Sequence, residues 1–203
     1  MSLVYLNNRG VRSVTAFGSL NAGSMVFIKK LTASSSDTLS FVDGTSDVVL
    51  DNTYKEYLFT FKNIHPETDN VNFTVNFRDG GSSYDATKTS TSFGAYHDEA
   101  DSATALVYVA GSDVAQGTGG QFLGNLGYDN DQAYSGYLRL FNPSSTTFIK
   151  NFIARGSWSS SGDYHTDGHA AGYCNTTTAI DGVQFKMASG TIDSGQISLY
   201  GIS

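Results

Sequence analysis

The chain has 203 residues, and its 39% hydrophobic and 13% aromatic content is sufficient to form a core. Its formal net charge of -7 argues against a nucleic-acid partner, because such proteins need clustered Lys and Arg to displace the counterions of the phosphates. No stretch reaches the roughly 18 apolar residues that cross a bilayer, so we expect no membrane partner either.

The single cysteine and the amino terminus bear on where the chain is made. Cys174 has no second cysteine with which to form an internal disulfide. The opening MSLVY lacks the basic segment and apolar run of a secretion signal. We therefore expect synthesis in a cytoplasm and a fold that depends on its core.

The first residues are less regular than those that follow. Residues 1–24 fit either an arm that reaches a neighbouring subunit or a first edge strand, and the sequence leaves both open. Residues 25–203 are predicted to form one β-sandwich domain.

In chain order, the first class of strand signal is strict alternation of apolar and polar residues. It occurs at 57–61, 71–77, 183–187 and 197–199. In 71–77, Val or Phe occupies every second position, with Asn or Thr between. This period of two predicts strands with one buried face and one face in solvent.

A second class of strand signal has apolar residues at both odd and even positions. It covers residues 25–28, 105–109, 137–141 and 148–153. Such runs predict either central strands that are covered on both faces or strands in a subunit contact.

Turn-forming residues separate these runs. Asp43-Gly44, Asp79-Gly80-Gly81 and Asp181-Gly182 favour tight turns, and residues 111–132 and 157–168 are rich in Gly, Ser and Asp. We expect the last two segments to be long surface loops. About eight strands then predict an all-β fold, a single antiparallel β-sandwich that is jelly-roll-like and has long polar loops.

Several aromatic residues fall in or beside the predicted loops. Such side chains stack on sugar rings or anchor protein contacts. They also serve a structural role, in which they pack the base of a loop against the end of the sandwich. Trp158, the sole tryptophan, is the first candidate for a binding role. The tyrosines are Tyr84, Tyr96, Tyr128, Tyr134 and Tyr164, of which Tyr128, Tyr134 and Tyr164 are the binding candidates.

One cluster has the composition of a metal site. Asp163, His165, Asp167 and His169 alternate along the chain, so a strand would place all four on one face as ligands for a divalent ion. The alternative is a polar loop that contains two histidines, which the adjoining Gly168 favours.

We find no residue set for catalysis. The chain has no Gly-x-Ser-x-Gly elbow and no phosphate-binding glycine loop followed by Lys-Ser or Lys-Thr. Cys174 follows Tyr173 in an apolar run, where a buried, inert thiol is expected. The sequence predicts a protein that is not an enzyme and needs no cofactor.

From about residue 27 to 201 the chain resembles β-sandwich virion structural proteins of tailed phages, especially phages of marine bacteria and cyanobacteria. The stretches that carry the resemblance are LTASSS at 31–36, IHPETDN at 64–70, YHDE at 96–99, LFNPSS at 140–145 and SGTIDSG at 189–195. The resemblance implies a sandwich head used in fibres, tail appendages or capsid decoration, commonly as a trimer. It supplies no functional residues, and the amino terminus has no counterpart of a trimeric shaft or tail-binding domain.

The resemblance leads us to expect a virion surface protein, made in the host cytoplasm, that binds other virion proteins of the capsid or tail and forms a homotrimer. A capsid decoration protein and a fibre or appendage head both remain open. The alternative is an adhesin that binds a host-surface glycan through its loop aromatics.

Overall fold

The structure is a computed structural model that describes residues 24–203. The segment predicted to be an arm or an edge strand therefore lies outside the described residues, apart from its last member. The carbonyl of that residue, Ser24, accepts a hydrogen bond from the backbone nitrogen of Ser203 at 3.0 Å.

Within this described part, twelve strands account for the regular structure. No helix there is long and apolar enough to pass through a membrane. The strands are β1 (Met25–Thr32), β2 (Leu39–Val42), β3 (Glu56–Pro66), β4 (Val71–Arg78), β5 (Lys88–Asp98), β6 (Thr104–Tyr108), β7 (Gln121–Leu126), β8 (Tyr134–Phe141), β9 (Lys150–Ser159), β10 (Tyr164–Cys174), β11 (Gly182–Met187) and β12 (Ile192–Ile202).

The strands form two antiparallel sheets that pack face to face, which confirms the predicted all-β sandwich. The large sheet has the order β1-β12-β3-β8-β9-β10-β5-β6, and the small sheet has the order β2-β11-β4-β7. At one side of the sandwich β7 packs over β9 and β10, and β5 and β6 continue beyond it. The large sheet is therefore wider than the small sheet that covers it.

The core between the sheets is a cluster of aromatic rings. Phe61 of β3 makes edge contacts with Phe73 at 5.6 Å, Phe185 at 5.1 Å and Tyr134 at 5.6 Å between ring centroids. Each such pair contributes about 0.5–1.5 kcal/mol beyond the burial of its area. These contacts join β3 and β8 of the large sheet to β4 and β11 of the small one.

The alternation in β4 predicts its inner face correctly and its outer face only in part. The Val and Phe positions are buried, as expected, but Thr74 and Asn76 on the other face are buried too. Thr74 Oγ1 donates to the carbonyl of Lys186 at 3.0 Å, and the backbone of Gly120 approaches the Thr74 side chain. The chain before β7 covers this face, which an alternating pattern does not reveal.

The predicted count of about eight strands was too low because β2, β5, β7 and β10 were missed. β7 lies inside the segment 111–132, and β10 begins inside the segment 157–168, both of which were predicted to be loops. β10 pairs with β9 on one side and β5 on the other along its whole length. Hydrogen bonds to two neighbours hold a Gly- and Asp-containing strand whose own propensity is low.

Candidate functional site

The hairpin of β9 and β10 carries most of the residues that the sequence nominated. It turns at residues 160–163, where the nitrogen of Ser160 bonds the carbonyl of Tyr164 at 3.0 Å and Asp163 has a positive φ of 57°. The expected long loop at 157–168 is therefore wrong. Even-numbered residues of the hairpin face the small sheet, and odd-numbered residues form the outer face of the large sheet.

A row of glycines crosses the large sheet at this hairpin. Gly136 of β8 pairs with Gly156 of β9, Gly156 pairs with Gly168 of β10, and Gly168 pairs with Gly94 of β5. Gly136, Gly156 and Gly168 lie on three consecutive strands, whereas Gly94 comes from β5, earlier in the chain. The row leaves a strip of bare backbone on the inner face of four adjacent strands.

Two aromatic rings lie on this strip. A Cβ added to Gly156 would fall 2.2 Å from the ring of Tyr134, and one added to Gly168 would fall 2.1 Å from Cη2 of Trp158. The two rings also contact each other, with centroids 5.8 Å apart and planes 25° apart. The glycines therefore provide the space that lets both rings lie against the sheet.

This packing corrects the roles expected for Tyr134 and Trp158. Tyr134 is buried, and desolvation raises the pKa of its hydroxyl, which has no hydrogen-bond partner among residues 24–203. It cannot stack on a ligand that arrives from solvent. Trp158 is 6% exposed and belongs mainly to the core, although its ring also reaches the wall of a cavity.

That cavity, which we call the cleft, lies where the large sheet extends beyond the small one. Its volume is about 280 Å³. Phe122 of β7 meets Trp158 edge to face at 6.1 Å, and Tyr96 meets Tyr164 edge to face at 5.4 Å. The wall from the large sheet includes Ser92, Gly94, Tyr96, Val107, Trp158, Tyr164 and Thr166, and the wall from the small sheet includes Phe122, Leu123 and Asn125.

Two of the four nominated aromatic residues, Trp158 and Tyr164, thus meet at the cleft, and Tyr96 joins them. Tyr128 does not line it: its side chain is exposed in the turn region between β7 and β8, and its backbone nitrogen bonds Asp69 at 3.3 Å. The sequence did not predict that Gly94 lines the cleft, because its role follows from its cross-strand neighbours, which the sequence alone does not give.

The four nominated metal ligands do not form one cluster, although His169 Nε2 lies 3.6 Å from Asp167 Oδ1. Asp163 lies in the turn, and His165, Asp167 and His169 lie on the outer face. Asp167 accepts two hydrogen bonds from Arg155, at 2.9 and 2.8 Å, and these bonds hold the pKa of Asp167 below its ordinary value. Among residues 24–203 no group of three or more His, Cys, Asp or Glu is placed to hold a metal ion.

The outer face carries a group of exposed apolar side chains next to β10. Phe93 of β5 stacks on His169 with centroids 4.9 Å apart and faces Tyr108 of β6 across the strand pair. Phe93 is 44% exposed, Tyr108 56% and Leu106 77%. We call Phe93, Leu106 and Tyr108 the outer patch. Residues 105–109 were expected to be either a covered strand or a contact strand, and the first of these expectations is wrong because β6 is an exposed edge.

The thiol of Cys174 is buried, as the sequence predicted, and desolvation raises its pKa to about 12. It lies in register between Lys88 of β5 and Lys150 of β9, which are also buried. Each lysine amine donates to two backbone carbonyls, with Lys88 bonding Ala86 and Gly119. Thiolate chemistry is disfavoured at this position.

Comparison of the chain with protein-family models, with curated proteins and with solved structures finds no match.

Proposed function

We propose that the chain is a structural protein of a phage particle, displayed on the particle surface, that packs against neighbouring virion proteins. The observation that supports this proposal best is the outer patch on β5 and β6. Its three large side chains are adjacent and exposed, and contiguous exposed apolar surface marks interaction sites in soluble proteins.

The edges of the large sheet suggest how copies of the chain associate. β6 is one edge and carries no charged residue, whereas β1 is the other edge and exposes Met25 and Phe27. An unprotected edge strand is a template for pairing with another chain. A contact between two different edges is heterologous and closes into a ring when the rotation allows, as in a trimer.

The oligomeric state of the purified protein tests this contact. We expect native mass spectrometry to give a trimer, and Leu106→Lys to give a monomer, since a charge at the interface stays unpaired. Tyr128→Lys alters an exposed residue outside the patch and serves as the control. A monomeric wild type, or a Leu106→Lys protein that stays trimeric, would contradict the contact.

Mass spectrometry of purified particles tests whether the chain is a component of the virion. Peptides of this chain are expected in stoichiometric amounts with the capsid or tail proteins. Their absence from intact particles would overturn the virion assignment whatever the oligomeric state.

We infer a second candidate function, binding of a surface glycan, from the cleft. Aromatic rings with polar tips suit sugar recognition because one surface stacks and the other forms hydrogen bonds. A glycan array tests it, with Tyr96→Ala as the site variant and Tyr128→Ala as the control. Trp158→Ala is unsuitable because that side chain is mostly core. Equal signals on all glycans would count against this function.

A further inference from the structure

We propose that the cleft binds one neutral sugar ring, laid flat over Gly94 and beside the indole of Trp158. This inference rests on the glycan-binding candidate function and specifies its site and its class of ligand.

The first argument is the position that the glycine row leaves open. Tyr134 covers Gly156 and Trp158 covers Gly168, whereas no ring atom is among the three heavy atoms nearest to a Cβ built at Gly94, the next glycine in the row. Those three atoms are the Asp167 carbonyl oxygen at 3.2 Å and Gly168 Cα and Thr166 Cγ2, both at 3.4 Å. Since neighbouring strands lie about 4.8 Å apart, a ring on Gly94 would lie beside the indole of Trp158, one strand further along the row.

The second argument is size. Binding sites for drug-sized ligands commonly measure about 300–1,000 Å³. The cleft, at about 280 Å³, is slightly smaller and lies next to the edge strand β6, where Val107 pairs with Gly94. A single ring fits inside, and any further sugars of a chain extend past β6 into solvent.

The third argument is charge. Within the described chain, none of the residues lining the cleft is Asp, Glu, Lys or Arg. The one imidazole in the lining, His169, stacks on Phe93 and lies 3.6 Å from the carboxylate of Asp167, so its charge already has a partner. A sugar carboxylate would therefore lose water there without gaining a cation of its own, which costs free energy. The cleft therefore favours neutral sugars over uronic and sialic acids.

The fourth argument separates a sugar from an aromatic side chain of a partner protein. The walls contain hydroxyl groups of Ser92, Ser160 and Thr166 and the amide of Asn125, whose nitrogen donates to Asn72 at 3.0 Å. A sugar ring has hydroxyls at its rim to pair with such groups and an apolar face to lie on the sheet. A Phe side chain offers no hydrogen bond to the hydroxyl groups that it would bury, at a cost for each one left without a partner.

The test uses saturation-transfer NMR with neutral methyl glycosides of glucose, galactose, mannose and N-acetylglucosamine, and with methyl glucuronide. Gly94→Ala adds a methyl group to the floor of the cleft, and its nearest heavy atom is the Asp167 carbonyl at 3.2 Å, so the fold is retained with a small adjustment. Gly119→Ala, with no heavy atom within 4 Å, is the matched control.

We expect transfer to at least one neutral glycoside, weaker transfer to the glucuronide, and an affinity on the order of tenfold lower in Gly94→Ala, which corresponds to about 1.4 kcal/mol. The Gly119→Ala protein should match the wild type. Unchanged melting temperatures of both variants would show that the loss is local.

The contrary outcomes are distinguishable. Glycan-array binding that Gly94→Ala leaves intact would retain the glycan-binding function and overturn this site. No binding to any glycan, on the array or in NMR, would overturn both. Stronger transfer to N-acetyltyrosinamide than to every glycoside, lost in Gly94→Ala, would identify an aromatic side chain of a protein as the occupant and overturn the sugar.

Discussion

Gly168→Ala is expected to destabilise the sandwich by displacing Trp158. The new Cβ would lie 2.1 Å from Cη2 and 2.4 Å from Cζ3 of the indole. Ordinary carbon contacts are about 3.5–4.0 Å, so the ring must move by roughly 1.5 Å. Overpacking of this kind costs about 1–3 kcal/mol. The lower entropy of the unfolded alanine chain offsets about 0.4–1 kcal/mol of that cost.

The midpoints of these two ranges leave a net loss of about 1.3 kcal/mol, which at about 2–4 °C per kcal/mol lowers the melting temperature by about 3–5 °C. Urea unfolding followed by circular dichroism, which does not depend on Trp158, measures it, with Gly119→Ala expected within about 0.5 kcal/mol of the wild type. In a Trp158→Phe background the shorter side chain ends before the clash, so Gly168→Ala should cost less. Equal stabilities of Gly168→Ala and the wild type would refute the steric argument.

Three further predictions concern titratable groups. Because the pKa of Cys174 is raised to about 12 and the thiol is buried, iodoacetamide at pH 8 should label it only after unfolding, and rapid labelling of the native protein would refute this. Burial lowers the pKa of Lys88, so the folded state loses this proton at a lower pH than the unfolded state does. The stability of the wild type relative to Lys88→Met should then rise as the pH increases from the folded pKa towards the ordinary value of about 10.4. Urea titrations at pH 7 and pH 10, with the exposed Lys62→Met as the control, measure this rise, and a constant difference would contradict it. Removing the guanidinium in Arg155→Gln should raise the pKa of Asp167, seen by NMR titration of the carboxyl, with little loss of stability because the pair is largely exposed.

The alternating strands show how much of the fold was predictable. Residues 71–77 and 183–187 became β4 and β11 with their Val, Phe and Met side chains in the core. Alternation identifies a strand because the side chains of an extended chain point to opposite faces in turn, which is a local property. The same pattern did not predict that Thr74, on the outer face of β4, is also buried, because the residues that bury it come from elsewhere in the chain.

The strands β5 and β10 show where local signals fail. Their sequences, KTSTSFGAYHD and YHTDGHAAGYC, are rich in small and polar residues, so β5 was not predicted and the first part of β10, up to residue 168, was predicted to be a loop. Alternation in β10 did place His165, Asp167 and His169 on one face, as the metal hypothesis required. The hypothesis had no means of anticipating Arg155, which pairs with Asp167 from the neighbouring strand.

The sequence alone determined that this chain is all-β and which faces of its most regular strands are buried, because both follow from the two-residue repeat of an extended backbone. Only the tertiary structure decided that Trp158 is a core residue at the rim of a cleft. Its place depends on the pairing of Gly136, Gly156, Gly168 and Gly94, four residues of separate strands. The turn at residues 160–163 sets the register of Gly156 and Gly168, but the pairing of Gly168 with Gly94 joins β10 to the distant strand β5, and no local pattern records it.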